Sequence, residues 1–231
     1  DLSNWNVSNI NNMTSMFQDA TSFNQNINSW DVSKVGIMIS MFDNATSFNQ
    51  DLNSWVVSNV TTMEYMFYNA TSFNQPLNNW DVSNVNIMGA MFSYTPFNQN
   101  ISSWDVTNVI AMNAMFFETS FNQDLSSWDV TNVIDMKAMF YNTPFNQNIN
   151  NWEVGSVIDM NYMFYSATSF NQDISSWDVG SVIDMNGMFY SATSFNQDIS
   201  SWDVSNVTNM EDMFNTATSF NQDLSSWDVG N

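Results

Sequence analysis

Ten tryptophans divide the chain at a nearly constant pitch. They are Trp5, Trp30, Trp55, Trp80, Trp104, Trp128, Trp152, Trp177, Trp202 and Trp227, at intervals of 25 residues that shorten to 24 for three consecutive steps. A fixed period of this length marks a repeat array, in which each unit buries its apolar face against its neighbours. The other large residues keep the same step. All 18 methionines form nine pairs three residues apart, from Met13 with Met16 to Met210 with Met213, and a phenylalanine follows each second Met. Residues 155–179 and 180–204 differ only at Tyr162 against Gly187, which reads as duplication of a unit. The expectation is one continuous right-handed solenoid over residues 1–231, built from about nine repeats of 24–25 residues and uncapped at both ends. The uncapped ends predict either that the array continues or that chains associate end to end.

One unit shows two periodicities. Trp128 and Val130 alternate with Asp129, the pattern of a short half-buried strand. From Val133 through Met136, Met139 and Phe140 the apolar steps are three and four, the pattern of one helical stripe. The turn-rich stretch that follows, such as Ala167 to Gln172, returns the chain to the next strand. The expected fold class is therefore an α/β repeat solenoid, leucine-rich-repeat-like, with a parallel β-sheet on one face and short helices or helical turns on the other. Parallel pairing would set neighbouring strands about 4.8 Å apart.

Two rows of amides run through the array. Asn59, Asn84, Asn108, Asn132 and Asn206 precede the second Val, and an Asn follows the last Phe of every copy from Asn24 to Asn221. Both read as hydrogen-bonded ladders that satisfy turn backbone. The three short repeats lose a residue between the Met-Phe pair and the next Phe, as in Phe92 to Phe97 against Phe67 to Phe73. Pro96 and Pro144 lie in two of these shortened turns. Repeat drift and a local change of curvature are both readings of them.

The motif WDVSNV, two Met with MF, then ATSFNQDLSSW resembles BspA-like leucine-rich repeats of the mycoplasma surface lipoprotein type, over essentially the whole chain. The resemblance implies an exported, extracellular protein displayed at a cell surface, with strands on one face, helical turns on the other, and adhesion or partner binding as its role. This chain lacks the lipid-attachment Cys and the capping unit of that pattern.

Charge narrows the partners. There are 23 acidic residues against Lys34 and Lys137, a formal net charge of −21. Nucleic acid and anionic membrane surfaces need a basic face and are excluded as partners. No apolar run approaches the roughly 18 residues of a membrane span. With no His, Cys or Arg, acid-base chemistry would fall to carboxylates alone, and every carboxylate belongs to a row. The chain reads as no enzyme, with no catalytic residues. Met pairs beside Phe read as adaptable core packing rather than copper or haem ligands.

The candidate binding surface is the row that follows the tryptophans: Asp31, Asp81, Asp105, Asp129, Glu153, Asp178, Asp203 and Asp228, opened by Asn6 and interrupted by Val56. Alternation turns it outward while Trp and Val turn in, so the indoles read as core and not as a sugar-stacking platform. Hydroxyls flank it, such as Ser103, Thr107, Ser127 and Thr131. Two readings of the row stand side by side. One is a solvated, screened face. The other is a set of cation sites for which oxygen ligands favour calcium, with Asp105, Asp129, Asp178 and Asp203 as ligands and no other cofactor. The predicted function is a recognition scaffold that binds a protein or glycan through this face. A structural stalk or end-to-end filament is the alternative.

Overall fold

The computed structural model describes residue 2 and residues 4–230. Coil stacks on coil, and one hydrophobic core runs from Val7 to Met213 through the whole array. Within it the Met pairs, Phe residues and Val residues of the interior coils are fully buried, and Trp30 to Trp202 are 2–4 % exposed. Trp5, with a neighbour on one side only, is 54 % exposed, so the burial comes from the adjoining coil.

The expected helices and sheet are not there. Among the described residues no helix forms, and β-pairing is confined to nine isolated parallel bridge residues, one per coil, from Asn12 to Asn209. The coil is instead a string of tight turns. In the coil that holds Met136, the amides of Met136, Ala138, Phe140 and Asn142 cross to the carbonyls of Asp159, Asn161, Met163 and Tyr165 in the next coil, at 2.7–3.1 Å. The intervening amides of Met139 and Tyr141 close turns onto Met136 and Ala138, at 3.2 Å. Alternate amides thus point between coils and within the coil. A helix would hold all of them inside one segment.

Left-handed backbone makes this alternation possible. Ala138 and Asn142 have φ of 53° and 49°, and the equivalent residues of the other coils follow suit, from Ser15 to Thr216, with Gly187 in the one glycine case. Two such residues per coil reset the chain direction before a second helical hydrogen bond can form, because a helix needs φ near −63° throughout. Steps of three and four in the sequence come from successive i to i+3 turns, which share that spacing with a helix.

The strand predicted at Trp128–Val130 fails for a different reason. Trp152 and Trp177 lie parallel, at 4°, with centroids 6.4 Å apart, and Trp80 and Trp104 are 6.5 Å apart. Paired strands need about 4.8 Å. On the other side of the coil Tyr141 and Tyr165 are parallel at 4.4 Å. The stack is thus narrow where backbone amides bond directly and wide along the Trp row. Side chains span the wide side. Trp152 Nε1 donates to the Leu125 carbonyl at 3.1 Å, Asn132 Nδ2 to the Thr107 carbonyl at 2.8 Å, and Ser127 Oγ to the Ser102 carbonyl at 2.6 Å. The Trp bond recurs in every coil from Trp30 to Trp227.

Both Asn ladders are present. In the post-Phe row each Asn Oδ1 accepts the amide of the Asn one coil on, from Asn49 to Asn24 at 3.0 Å through Asn221 to Asn196 at 2.9 Å. The short repeats replace a lost backbone turn with a buried threonine: Thr95 Oγ1 donates to the Phe92 carbonyl at 2.6 Å and accepts the Phe97 amide at 3.3 Å. Thr119 and Thr143 do the same in the next two coils.

Candidate binding faces

The Asp row points outward as the alternation requires, with Asp31, Asp81, Asp105, Asp129, Glu153, Asp178, Asp203 and Asp228 all exposed. It lies on unpaired extended chain and not on a strand. Each Asp closes its own turn: Asp31, Asp81, Asp105, Asp129, Asp178, Asp203 and Asp228 accept through Oδ1 the amide of the residue two places on, at 3.0–3.2 Å. Asn6 does the same with Ser8. Ser33, Ser83 and Thr131 add their hydroxyls at 2.6 Å. These hydroxyl and amide bonds hold Asp31, Asp81, Asp129 and Asp203 below the ordinary carboxylate range. Those four carboxylates are therefore ionised at neutral pH, and the turn bonds fix the direction of all seven Asp side chains of the row.

Three of the four flanking hydroxyls, those of Ser103, Ser127 and Thr131, are committed within the fold, while Thr107 bonds Asp105 through its backbone amide. Ser103 and Ser127 donate to the carbonyls of Asn78 and Ser102 in the preceding coil, and Thr131 donates to Asp129. Among the described residues no three acidic side chains converge as a metal ligand set. Asp105, Asp129, Asp178 and Asp203 stand one to a coil along the wide side.

A second acidic row, absent from the sequence reading, runs beside the first. Asp124, Asp173, Asp198 and Asp223 accept the amides of Ser126, Ser175, Ser200 and Ser225 at 2.9 Å, and all four carboxyls are held low by the serine amides and hydroxyls, the hydroxyl foremost at Asp198. Their signal was the Asp of the FNQD segment, which passes as turn composition. Between the two rows lies an open polar groove of about 620 Å³, lined by Ser126, Asn148, Asn150, Asn151, Trp152, Glu153 and Ser176.

The narrow side carries a surface feature that the sequence reading also missed. Phe117, Tyr141, Tyr165 and Tyr190, each following the Phe of a Met-Phe pair, stack in a continuous column at 4.3–4.4 Å with planes within 13°. Burial and the neighbouring Tyr165 push the Tyr141 hydroxyl up to about 12. The residue after Met-Phe varies between coils, so the aromatic row is legible only once the copies are aligned in register.

No helix among the described residues is long and apolar enough to cross a membrane. Comparison with curated proteins and with solved structures gives no match. The family described as "Mycoplasma protein of unknown function, DUF285" matches residues 1–96, 78–167 and 142–231, three tandem stretches that together span the chain. The protein belongs to this mycoplasma-type tandem-repeat family.

Proposed function

We propose that the protein is a non-enzymatic recognition scaffold, displayed at a cell surface, that binds a protein or glycan partner through the acidic and polar groove of its wide side. The observation that carries this reading is the repetition of one fixed group. Every coil but two sets a carboxylate at the same place, and seven of the eight, all but Glu153, have their direction locked by their own turn. A preorganised, polyvalent surface loses little side-chain entropy on binding and gains by multiple engagement. The likeness to BspA-like surface repeats supports extracellular display. The absence of His, Cys and Arg supports binding over catalysis.

The test is binding of the purified chain to glycan and host-protein arrays, with and without calcium, beside Asp105→Asn/Asp129→Asn/Asp178→Asn. Asn keeps the turn, as Asn6 shows, and removes the charge. Saturable binding that falls at least tenfold in the triple variant supports the reading. A folded protein that binds nothing in either condition overturns it in favour of a structural stalk, for which the unbroken ladder of backbone bonds along the narrow side supplies the stiffness.

A further inference from the structure

The aromatic column of the narrow side breaks at one place, and the break opens a cleft. In the coil that holds Phe92 the residue after Met-Phe is Ser93, which is buried and spends its hydroxyl on the Ala114 carbonyl at 2.7 Å. The ring comes instead from the next residue, Tyr94, in left-handed backbone with φ of 60°. It cannot join the column from there. Tyr68 and Tyr94 stand at 82°, Tyr94 and Phe117 at 59°, and Tyr65 and Tyr68 at 73°, with centroids 5.1–5.7 Å apart. Four rings therefore line a cleft of about 250 Å³, and Ala90, Ser93, Asn113 and Ala114 complete its lining. Elsewhere in the row, rings 4.3–4.4 Å apart hide each other's faces.

A ring set edge-on to its neighbour keeps its own faces clear of that neighbour, unlike a ring in the stacked column, and an uncovered aromatic face attracts an organic cation. The rim adds charge of the same sign. Glu64 and Glu118 adjoin Tyr65 and Phe117 in the chain, and the charges of Glu64 and Asp43 reach the Tyr65 hydroxyl while that of Glu118 reaches the Tyr94 hydroxyl. Neither lysine of the chain lies among the cleft residues, so the site carries no cation of its own. A sugar would be served poorly, because it stacks on one flat exposed platform and these rings stand at steep angles to one another, with the Ser93 hydroxyl already engaged and the Asn113 amide as the other polar side chain of the lining besides the tyrosine hydroxyls. Among cations the guanidinium suits the site best, since its planar, weakly hydrated group stacks on aromatic faces and pairs with carboxylates at the rim.

We propose that the cleft walled by Tyr65, Tyr68, Tyr94 and Phe117 is a recognition site for an arginine side chain presented by a basic segment of a partner polypeptide. It lies apart from the groove of the wide side and does not depend on that groove's role.

Two substitutions remove walls while leaving residues that the fold already accepts at those places. Tyr94→Asn copies Asn69 and Asn142, and Tyr65→Ser copies Ser15 and Ser40, all in left-handed backbone. The probe is the capped peptide Gly-Ser-Arg-Ser-Gly, titrated calorimetrically into the full chain at about 0.15 M salt to screen diffuse attraction. Its partner probe carries citrulline, the neutral isostere, in place of arginine. The expected result is saturable one-to-one binding of the arginine peptide, at least tenfold weaker binding of the citrulline peptide, and about a tenfold loss in each Tyr variant. The Asp105→Asn/Asp129→Asn/Asp178→Asn variant stays within twofold of the parent. Shifts of the Tyr65 and Tyr94 ring protons in the unaltered protein locate the site independently of any variant. The proposal is overturned by equal binding of the two peptides, by Tyr variants that bind as the parent does, by a loss confined to the triple Asn variant, or by no binding at all.

Discussion

The Leu125 carbonyl accepts two hydrogen bonds from tryptophans of different coils. The backbone amide of Trp128 reaches it within its own coil at 3.1 Å, and the Nε1 of Trp152 reaches it from the next coil at 3.1 Å. The indole spans a gap too wide for strand pairing, so each Trp is both core filler and cross-coil tie. Trp152→Phe keeps an aromatic ring in the core but removes the tie and part of the volume. It is expected to cost about 1–3 kcal/mol, read as a lower urea midpoint in circular dichroism. Iodide is expected to quench chiefly Trp5, with the 2–4 % exposed indoles of Trp30 to Trp202 protected.

The post-Phe ladder makes a sharper distinction between two variants. Asn122 Oδ1 accepts the Asn146 amide at 2.9 Å and Gln147 Nε2 at 3.1 Å. Asn122→Ala leaves that amide without its partner and is expected to lower stability by about 1–2 kcal/mol. Asn122→Asp retains the acceptor oxygens and is expected to lose less than half as much. Equal losses in the two variants, measured by urea denaturation, would show that the ladder does not act through this oxygen.

Gly187 tests the left-handed positions. Its φ is 55°, and a Cβ added there would lie 2.7 Å from Cδ1 and Cε1 of Tyr162. Gly187→Ala is expected to cost about 1–2 kcal/mol from backbone alone, with the Tyr162 ring turning aside to make room. A melting temperature unchanged from the parent would contradict that account.

Acid affects the two kinds of carboxylate oppositely. Asp159 sits half-buried at a bridge position, and its carboxyl is raised first by burial, then by Asp135 and Asp184 on either side. A raised folded value means that the ionised form is disfavoured by folding, so its penalty is fully present at neutral pH and relieved as pH falls through that value. Asp159→Asn still accepts the Asn161 amide and is expected to raise the melting temperature at pH 7, with the difference from the parent vanishing near pH 3.

Asp129 shifts the other way, because the Thr131 hydroxyl and amide bond its ionised form. Its contribution is present above the ordinary carboxylate range and is lost as pH falls through the lowered value. Asp129→Asn, which keeps the turn but cannot ionise, is expected to melt slightly below the parent at neutral pH, with the difference closing as pH falls through the lowered value. Asp129→Ala, which opens the turn, is expected to melt lower at every pH.

Much of this was written in the period alone. The spacing of Trp, Met and Phe required stacked units, the alternation of Trp128, Asp129 and Val130 required one buried and one exposed row, and the recurring Asn24 to Asn221 required a ladder. These inferences need only the rule that identical residues at a fixed step occupy identical places, and that large apolar ones go inside. The tyrosine cleft was less legible, because it depends on Ser93 and Tyr94 exchanging places within one copy.

What the repeat pattern left open was the conformation of the coil. Steps of three and four describe a helix and a chain of i to i+3 turns equally well, and only left-handed φ at residues such as Ala138 and Asn142 separates them. Ser, Asn, Ala and Tyr at those places give no sequence warning, since glycine marks such a position just once, at Gly187. Strand pairing at the Trp row was likewise decided between coils. Indoles stacked at 6.4 Å hold the backbones beyond strand spacing, while the turn ladder on the narrow side draws them together. The sequence by itself determined what is buried and how often it recurs, because those follow from residue type and period. Tertiary structure decided which amides bond across coils, because that depends on the separation imposed by side chains from both.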